Sequence, residues 1–261
     1  MEADFNMVSK IMIGDRMIKQ AEKHGELPAD TIGGRKDMAS HEGGLNRILM
    51  SDVSRQRRQD LLMLSEDADT CYDRMQHTGI SLSTRRLGVP TPTNTTMLVT
   101  LQQMRFFLRT GFGTSSTYFG RQQLTPFQGG CQGNGAAPGF WLAISIVLIR
   151  YMKQRGHITT FETAISQELL TIVAFMFVDD TDIPTLAKQG ESTQALLTRS
   201  QVKATHWQQG LQFTGGDAKP SKSYCYIQAY KFEAGKWLYK SKEDEPGTIT
   251  IQGPEGPKDI Q

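Results

Sequence analysis

Two aspartates, Asp179 and Asp180, stand side by side in AFMFVDDTDIP, residues 174–184, at the end of a run of large apolar side chains. A buried strand ordinarily avoids even one unpaired charge, so the pair needs a use. Turn capping is one, since aspartate is a favoured turn residue and TDIP suits a loop. Acid–base work is another, but it needs one carboxyl desolvated and protonated beside an ionised one, and neighbours along a strand point to opposite faces. Holding a divalent metal is the third. Hard cations such as Mg²⁺ take oxygen ligands from one or two carboxylates plus substrate phosphates, and carboxylates on different strands supply these best. LLMLSEDAD, from Leu61, is a second apolar run that turns acidic and delivers Asp67 at a strand end. With the two strands side by side, Asp67 and Asp179 converge on the same ions and Asp180 stands adjacent. Two ions held about 4 Å apart can activate a hydroxyl and stabilise a leaving pyrophosphate.

Those strands need a scaffold, and the spacing of apolar residues outlines it. Val8, Ile11, Met12 and Ile18 predict a helix over residues 5–23, ended by Gly25 and Pro28. A loop through TIGGRKDMAS leads to a helical stretch marked by Leu45, Ile48 and Leu49 and running towards Arg58. Helices are then expected over residues 73–87, stopped by Gly88 and Pro90, and over 95–109, with Leu98, Leu101, Met104 and Leu108 on one stripe. STYFGRQQLTPFQGG reads as a hairpin, and Pro138 opens an apolar helix that Gly156 caps. TIVAFMFV is the next strand; its partner is expected from Ile183, leaving Asp179 and Asp180 at a hairpin tip. A helix follows from Ser192 to Gln209 with Gly210 as its stop, then strands in SYCYIQAYKF and GKWLY. The Gly-, Pro- and charge-rich tail has one strand candidate, TITI.

Composition narrows the function classes. The 261 residues are 38% hydrophobic and 21% charged, ordinary for a globular chain with a sizeable core. Three cysteines are odd in number and widely spaced, and the five histidines lack HxxxH or HxH spacing, which argues against a disulfide framework or a His/Cys metal site. A net charge of +2 permits a nucleic-acid partner without arguing for one. The local clusters, Arg55 with Arg57 and Arg58, Arg85 with Arg86, and Arg105 with Arg109, read first as solvated helix faces. No stretch is long and apolar enough to span a membrane, and MEADFNMVSK lacks a signal core, so no membrane association is expected and an intracellular protein is. The cytoplasm is the default compartment.

The residues also carry a family resemblance. Asp67-Ala-Asp-Thr-Cys-Tyr72-Asp73 resembles the first palm motif of reverse transcriptases, an aspartate followed after four residues by an aromatic–Asp pair. QGNGAAP, residues 132–138, is similar to the family's Gln-Gly-x-Pro-Leu-Ser-Pro, and FVDD, residues 177–180, to its aromatic-x-Asp-Asp hairpin. GGDAKPSK, residues 215–222, looks like the later Gly-rich turn ending in lysine. The four motifs come in the family's order. KIMIGDRM and GGRKDMAS look like the finger-to-palm region of non-LTR retrotransposon enzymes. Asn-Gly-Ala-Ala stands where Pro-Leu-Ser is more usual, and Phe177 where tyrosine is.

The resemblance implies an α+β fold, a polymerase palm with an antiparallel sheet and packed helices plus partial fingers. It places partial fingers and the finger–palm region in residues 1–60, the palm in 61–240, and a linker or the start of an interrupted thumb in 241–261. By the same resemblance Asp67 and Asp179 are the principal ligands of two Mg²⁺ ions, with Mn²⁺ as a substitute, and Asp180 supports them. Lys222 is placed to protonate the leaving pyrophosphate. Tyr72 would pack beneath the incoming sugar, Gln132 and Gly133 would contact template and nucleotide, and Arg35 and Lys36 would touch template phosphates or the nucleotide. The implied partners are an RNA template, a DNA primer, deoxynucleotides, and the missing fingers and thumb of a larger polyprotein, with the nucleus as an added compartment. A palm that binds nucleic acid without synthesis, and an RNA-dependent RNA polymerase, are the competing expectations.

Overall fold

The structure, a computed structural model, describes residues 3–120, 128–163, 166–244 and 247–260. In chain order its helices are α1 (Ala3–Ser9), a π-helical stretch (Lys10–Met17), α2 (Ile18–Lys23), α3 (Ser40–Arg57), α4 (Cys71–Arg74), α5 (His77–Arg86), α6 (Thr91–Gln102), α7 (Ala137–Gln154) and α8 (Thr193–Thr214). The strands are β1 (Leu61–Asp67), β2 (Arg105–Thr110), β3 (Gly113–Gly120), β4 (Thr159–Glu162), β5 (Leu169–Ile172), β6 (Phe175–Phe177) and β7 (Asp180–Leu186). They continue with β8 (Tyr224–Gln228), β9 (Tyr230–Glu233), β10 (Lys236–Tyr239), β11 (Ile249–Gly253) and β12 (Gly256–Ile260). Two compact units result, Met1–Glu26 with Thr70–Ile144, and Leu27–Asp69 with Ser145–Gln261. Helix and antiparallel sheet are mixed, as the α+β expectation requires. Among the described residues no helix is long and apolar enough to cross a membrane.

The second unit is built on a four-stranded antiparallel sheet in the order β6-β7-β1-β8. Alternation along β1 sends Leu61, Met63, Ser65 and Asp67 to one face and Leu62, Leu64 and Glu66 to the other. α3 covers the Leu61 and Met63 end of the first face, where Met50 joins them with Ile172, Phe175 and Leu186. Its Leu45, Ile48 and Leu49 stripe faces outward instead. α8 packs on β1 and β7 across the second face and buries Leu196, Ala204, Trp207 and Leu211. Ser192 caps its start, its Oγ accepting from Ala195 N at 3.2 Å, and Gly215 ends it at φ 91°. The stop expected at Gly210 is therefore five residues early. A Cβ at Gly210 would lie 3.1 Å from Leu148 of α7, so that glycine permits a close helix approach instead of ending the helix. β11 and β12 form a hairpin against α8, burying Ile249 and Ile251, with Gln201 and Gln208 bonded to its backbone.

TIVAFMFV does not form one strand. Its first part ends β5, which pairs with β4, and Phe175–Phe177 forms β6. The break falls where Asp30 intervenes: its Oδ1 accepts from Val173 N at 2.6 Å and Ala174 N at 3.3 Å, taking the donors a neighbouring strand would have used. Oδ2 accepts from Lys153 Nζ at 3.0 Å, and Asp30 is 1% exposed. The same segment pairs with the free edge of β6, Met176 N bonding Asp30 O and Ile32 N bonding Met176 O, both at 2.8 Å. Asp30→Ala is expected to destabilise the fold by about 1–3 kcal/mol for each buried backbone donor it strands, Val173 N and Ala174 N, while the partly exposed Lys153 returns to water. The check is a lower urea midpoint at unchanged slope.

In the first unit, α1, the π-helical stretch and α2 run on continuously, but the buried apolar residues are Ile13, Met17, Ile18 and Ala21, while Val8 and Ile11 face out. The wider π turn shifts the apolar stripe away from 3.6-residue spacing. The helix expected over 95–109 ends at Gln102, and Arg105 and Arg109 lie on β2. Aromatic and β-branched residues favour pleated pairing: Phe106 stacks on Phe119 at 5.3 Å and Phe107 meets Tyr118 at 5.8 Å, so cross-strand contacts override the helical spacing. The expected hairpin is thus β2–β3, earlier in the chain, and residues 121–127 of STYFGRQQLTPFQGG lie outside those described.

Candidate active site

Asp67 ends β1 and Asp180 begins β7, and the register sets them directly opposite one another. Opposite residues share a face with Cβ atoms about 4.5–5.5 Å apart, so both carboxylates project to the same side. One step in, Ser65 faces Asp182 on that side too. These residues line a cavity of about 280 Å³ together with Arg47, Lys222 and Tyr224. Ser40, Gly43 and Gly44 at the start of α3 also line it, and their small side chains leave this end of the sheet open.

β6 and β7 are joined by a two-residue loop, Val178 and Asp179, after the last pair Phe177↔Asp180. The tip thus begins its return strand at Asp180, three residues before the expected Ile183. Val178 has φ 58°, a left-handed conformation that a β-branched side chain rarely adopts. Surrounding contacts hold it there: Ala68 N donates to Asp179 O at 3.1 Å, and Gly33 lies so close that a Cβ on it would be 2.5 Å from Val178 N. Gly33→Ala should therefore displace the tip. A loss of about 1–3 kcal/mol in stability is expected from the overpacking, read as a lower urea midpoint.

The turn after α8 wraps the end of β1. Asp69 N donates to Asp217 O and Lys219 N to Asp67 O, each at 2.8 Å, and Lys222 Nζ reaches to 3.4 Å from Asp67 Oδ2. Arg47, from α3, meets Asp182 at 3.2 Å and donates to Tyr224 Oη at 3.4 Å. Desolvation holds the Asp182 carboxyl above the usual range, with Arg47 opposing. Asp180 is also raised, by desolvation and then by the charges of Asp179, Asp67 and Asp182, against Lys222. Asp180 is an exposed residue, so the crowding of like charges is what a bound cation would relieve. Among the described residues no three His, Cys, Asp or Glu side chains already surround one metal position. The Asp67–Asp180 pair with Asp179 at the tip nevertheless offers only oxygen donors and surplus negative charge, which fits a hard divalent cation.

Beneath Asp67, on the core face, Glu66 is buried and its pKa is pushed up to about 8 by desolvation, with the charge of Asp217 adding to it and a 2.9 Å bond from Gln208 Nε2 opposing. Glu66 and Arg47 were not singled out from the sequence. Strict alternation in LLMLSED does place Glu66 on the opposite face from Asp67; nothing local marks Arg47.

The structure thus brings Asp67, Asp180 and Lys222 to one cavity, with Asp179 next to Asp180 in the β6–β7 loop. Arg35 is turned into its own loop, donating to Pro28 O at 3.3 Å and Thr31 O at 3.2 Å, and Lys36 is exposed 4.0 Å from Asp37. Tyr72, Gln132 and Gly133 belong to the first unit. There Tyr72 O accepts from Gly130 N at 2.6 Å and Asp73 Oδ1 from Gln132 N at 3.2 Å, tying the loop before α7 to α4. Gln132 and Gly133 are exposed.

No family profile matches the chain, and no curated protein matches it. Solved structures do. Telomerase from Candida tropicalis truncated of its C-terminal domain superposes with a TM-score of 0.52 at 13% identity, covering 90% of this chain and 44% of that one. The same organism's telomerase in complex with a TWJ fragment of telomeric RNA gives 0.54 at 9%, with 90% and 38% covered. Apo telomerase from Candida tropicalis gives 0.50 at 12%, with 91% and 39% covered. The chain therefore spans about two fifths of the length of these proteins. At such identity the likeness is one of fold alone, a mixed helix and antiparallel-sheet fold shared with part of these telomerase structures.

Proposed function

We propose that this chain is the polymerase part of an RNA-directed DNA polymerase of the non-LTR retrotransposon kind, adding deoxynucleotides to a primer 3′-hydroxyl on an RNA template. The observation that carries this reading is the Asp67–Asp180 pair, set opposite by register at the mouth of a cavity that Lys222 also lines. Residues 1–60 correspond on this reading to partial fingers and the finger–palm region, 61–240 to the palm, and 241–261 to a linker or the start of an interrupted thumb.

The reaction joins the primer 3′-oxygen to the α-phosphorus of the nucleotide and breaks its bond to pyrophosphate. Asp67, Asp179 and Asp180 would hold Mg²⁺, or Mn²⁺ in its place, which when bound supplies activation of the hydroxyl and charge neutralisation of the phosphates. The protein's own part is positioning. The β6–β7 tip and the turn around β1 fix the carboxylates, and Lys222, beside Asp67, stands to donate a proton to the departing pyrophosphate. Tyr72 is assigned to the sugar of the incoming nucleotide and Gln132 with Gly133 to the template side. Tyr72→Ala is expected to admit ribonucleotides.

Primer extension on an RNA template with Mg²⁺ and deoxynucleotides tests this, with Asp67→Asn/Asp180→Asn as control. Incorporation by the wild type and not by the variant supports the reading; equal incorporation by both removes the carboxylates from the mechanism. No incorporation by the wild type favours the second reading, a palm that binds nucleic acid without synthesis. That second reading has one observation behind it: among the described residues no three-ligand group is assembled in advance.

A further inference from the structure

The β2–β3 ribbon of the first unit presents a face with a single chemistry. Arg105 and Phe107 alternate along β2 and so point the same way, Tyr118 stands opposite Phe107 on β3, and the exposed Arg109 follows beyond a register shift, paired with Thr114. The Arg105 guanidinium lies 4.7 Å from the centre of the Tyr118 ring. Phe107 and Tyr118 are 50% and 51% exposed, and Phe112 at the turn is fully exposed. Large rings left in water beside charged neighbours mark an interaction surface.

Charge identifies the partner. Between Asp73 and Glu162 the sequence has nine Lys or Arg residues and no Asp or Glu, although the whole chain is only +2. The ribbon lies within that stretch. Two exposed rings, tilted 52° to one another, with the Arg105 guanidinium against one of them and Arg109 further along the same strand, match a polymer that carries planar bases and regularly spaced phosphates, and a single strand leaves its bases free to stack. At the foot of the ribbon a cavity of about 850 Å³, lined by Arg105, Phe106, Gln103 and Gln132 among others, adds room for a nucleotide unit.

We propose that this ribbon and the cavity at its foot bind single-stranded RNA, with bases stacked on Phe107 and Tyr118 and phosphates paired to Arg105 and Arg109. The choice of RNA over DNA rests on the RNA-directed reading above; the choice of a single strand rests on the ribbon.

Fluorescence anisotropy of a labelled 16-nucleotide mixed-sequence RNA with the full chain, without deoxynucleotides or metal, is the test. Phe107→Ala/Tyr118→Ala should bind about ten-fold or more weakly, given the usual loss per stacked base. Arg105→Gln/Arg109→Gln keeps both rings and should flatten the dependence of log affinity on log salt by about 1.4, two phosphate contacts' worth on a single strand. The second variant guards against a folding effect in the first, and both are checked by thermal melting. Unchanged affinity and salt slope in both variants, as expected if the face docks a protein, would overturn the proposal. So would equal binding of duplex RNA. DNA of the same sequence binding as tightly would overturn the assignment to RNA. A wild-type chain that fails to extend primers, yet loses RNA affinity in the ribbon variants, leaves this inference standing while the polymerase reading falls.

Discussion

Asp67→Asn and Asp180→Asn are each expected to lower primer extension by at least about 10³-fold, the scale set by several kcal/mol of transition-state charge stabilisation at about 1.4 kcal/mol per decade. Yet neither should unfold the protein. Asp67 and Asp180 are opposite one another in the β1–β7 ladder, and like charges so placed are destabilising by roughly 0.2–1 kcal/mol. Without metal, the Asp180→Asn protein should therefore be at least as stable as the wild type. Addition of Mg²⁺ separates the two further. At ten times the dissociation constant a bound ion stabilises by about 1.4 kcal/mol, which raises the melting temperature of a chain this size by about 3–5 °C. The wild type should show that rise and the asparagine variants should not. An equal Mg²⁺ response in all three proteins would mean that the ion, if bound, sits elsewhere.

Lys203→Met should change the pH dependence of stability in the alkaline range. Lys203 rises from α8 to donate to Pro184 O at 2.6 Å and Thr159 Oγ1 at 3.1 Å, wholly inside the second unit. Burial drives its pKa down to about 7, helped by the Arg199 charge and opposed by Asp30. In the unfolded chain the same amine holds its proton to about 10.5. Between those values the unfolded state binds one proton more than the folded state, so folding becomes more favourable as pH rises, by about 1.4 kcal/mol per pH unit. Wild type should gain up to about 5 kcal/mol relative to Lys203→Met from pH 7 to pH 10.5, and the two should run parallel below pH 7. Urea titrations of both proteins at pH 6, 7.5, 9 and 10 measure the difference directly. Parallel stabilities across the whole range would show that the ammonium stays charged in the folded protein.

Much of the site could be read locally. The apolar-to-acidic runs at Leu61 and Ile172 each lead to a strand ending beside carboxylates, and the hairpin between Phe177 and Asp180 forms where the aspartate pair falls. The Lys222 turn, read from the sequence only as a Gly-rich turn ending in lysine, comes to 3.4 Å from Asp67. Misreadings arose where distant groups compete with local preference. Residues 105–109 have helical spacing, but Phe106 and Phe107 gain ring partners on β3 that a helix could not give them. Gly210 looks like a stop, yet α7 needs its missing side chain for close packing. TIVAFMFV looks like one strand until Asp30, some 140 residues earlier, takes two of its backbone donors.

The sequence by itself determined that two strands end in aspartates and that a tight turn separates one strand from its return, because alternation, apolar runs and turn chemistry are short-range properties. Tertiary structure alone decided that Asp180 is the residue set opposite Asp67, with Asp179 held at the tip. In a sheet the side chains alternate with period two, so a slip of one residue in the β1–β7 register would turn one of those carboxylates away. That register depends on the packing of α3, α8 and the Asp30 segment around the sheet. The same long-range packing covers Glu66, which local alternation had already turned away from Asp67, and brings Arg47 to the wall of the site, a placement that nothing near Arg47 in the chain encodes.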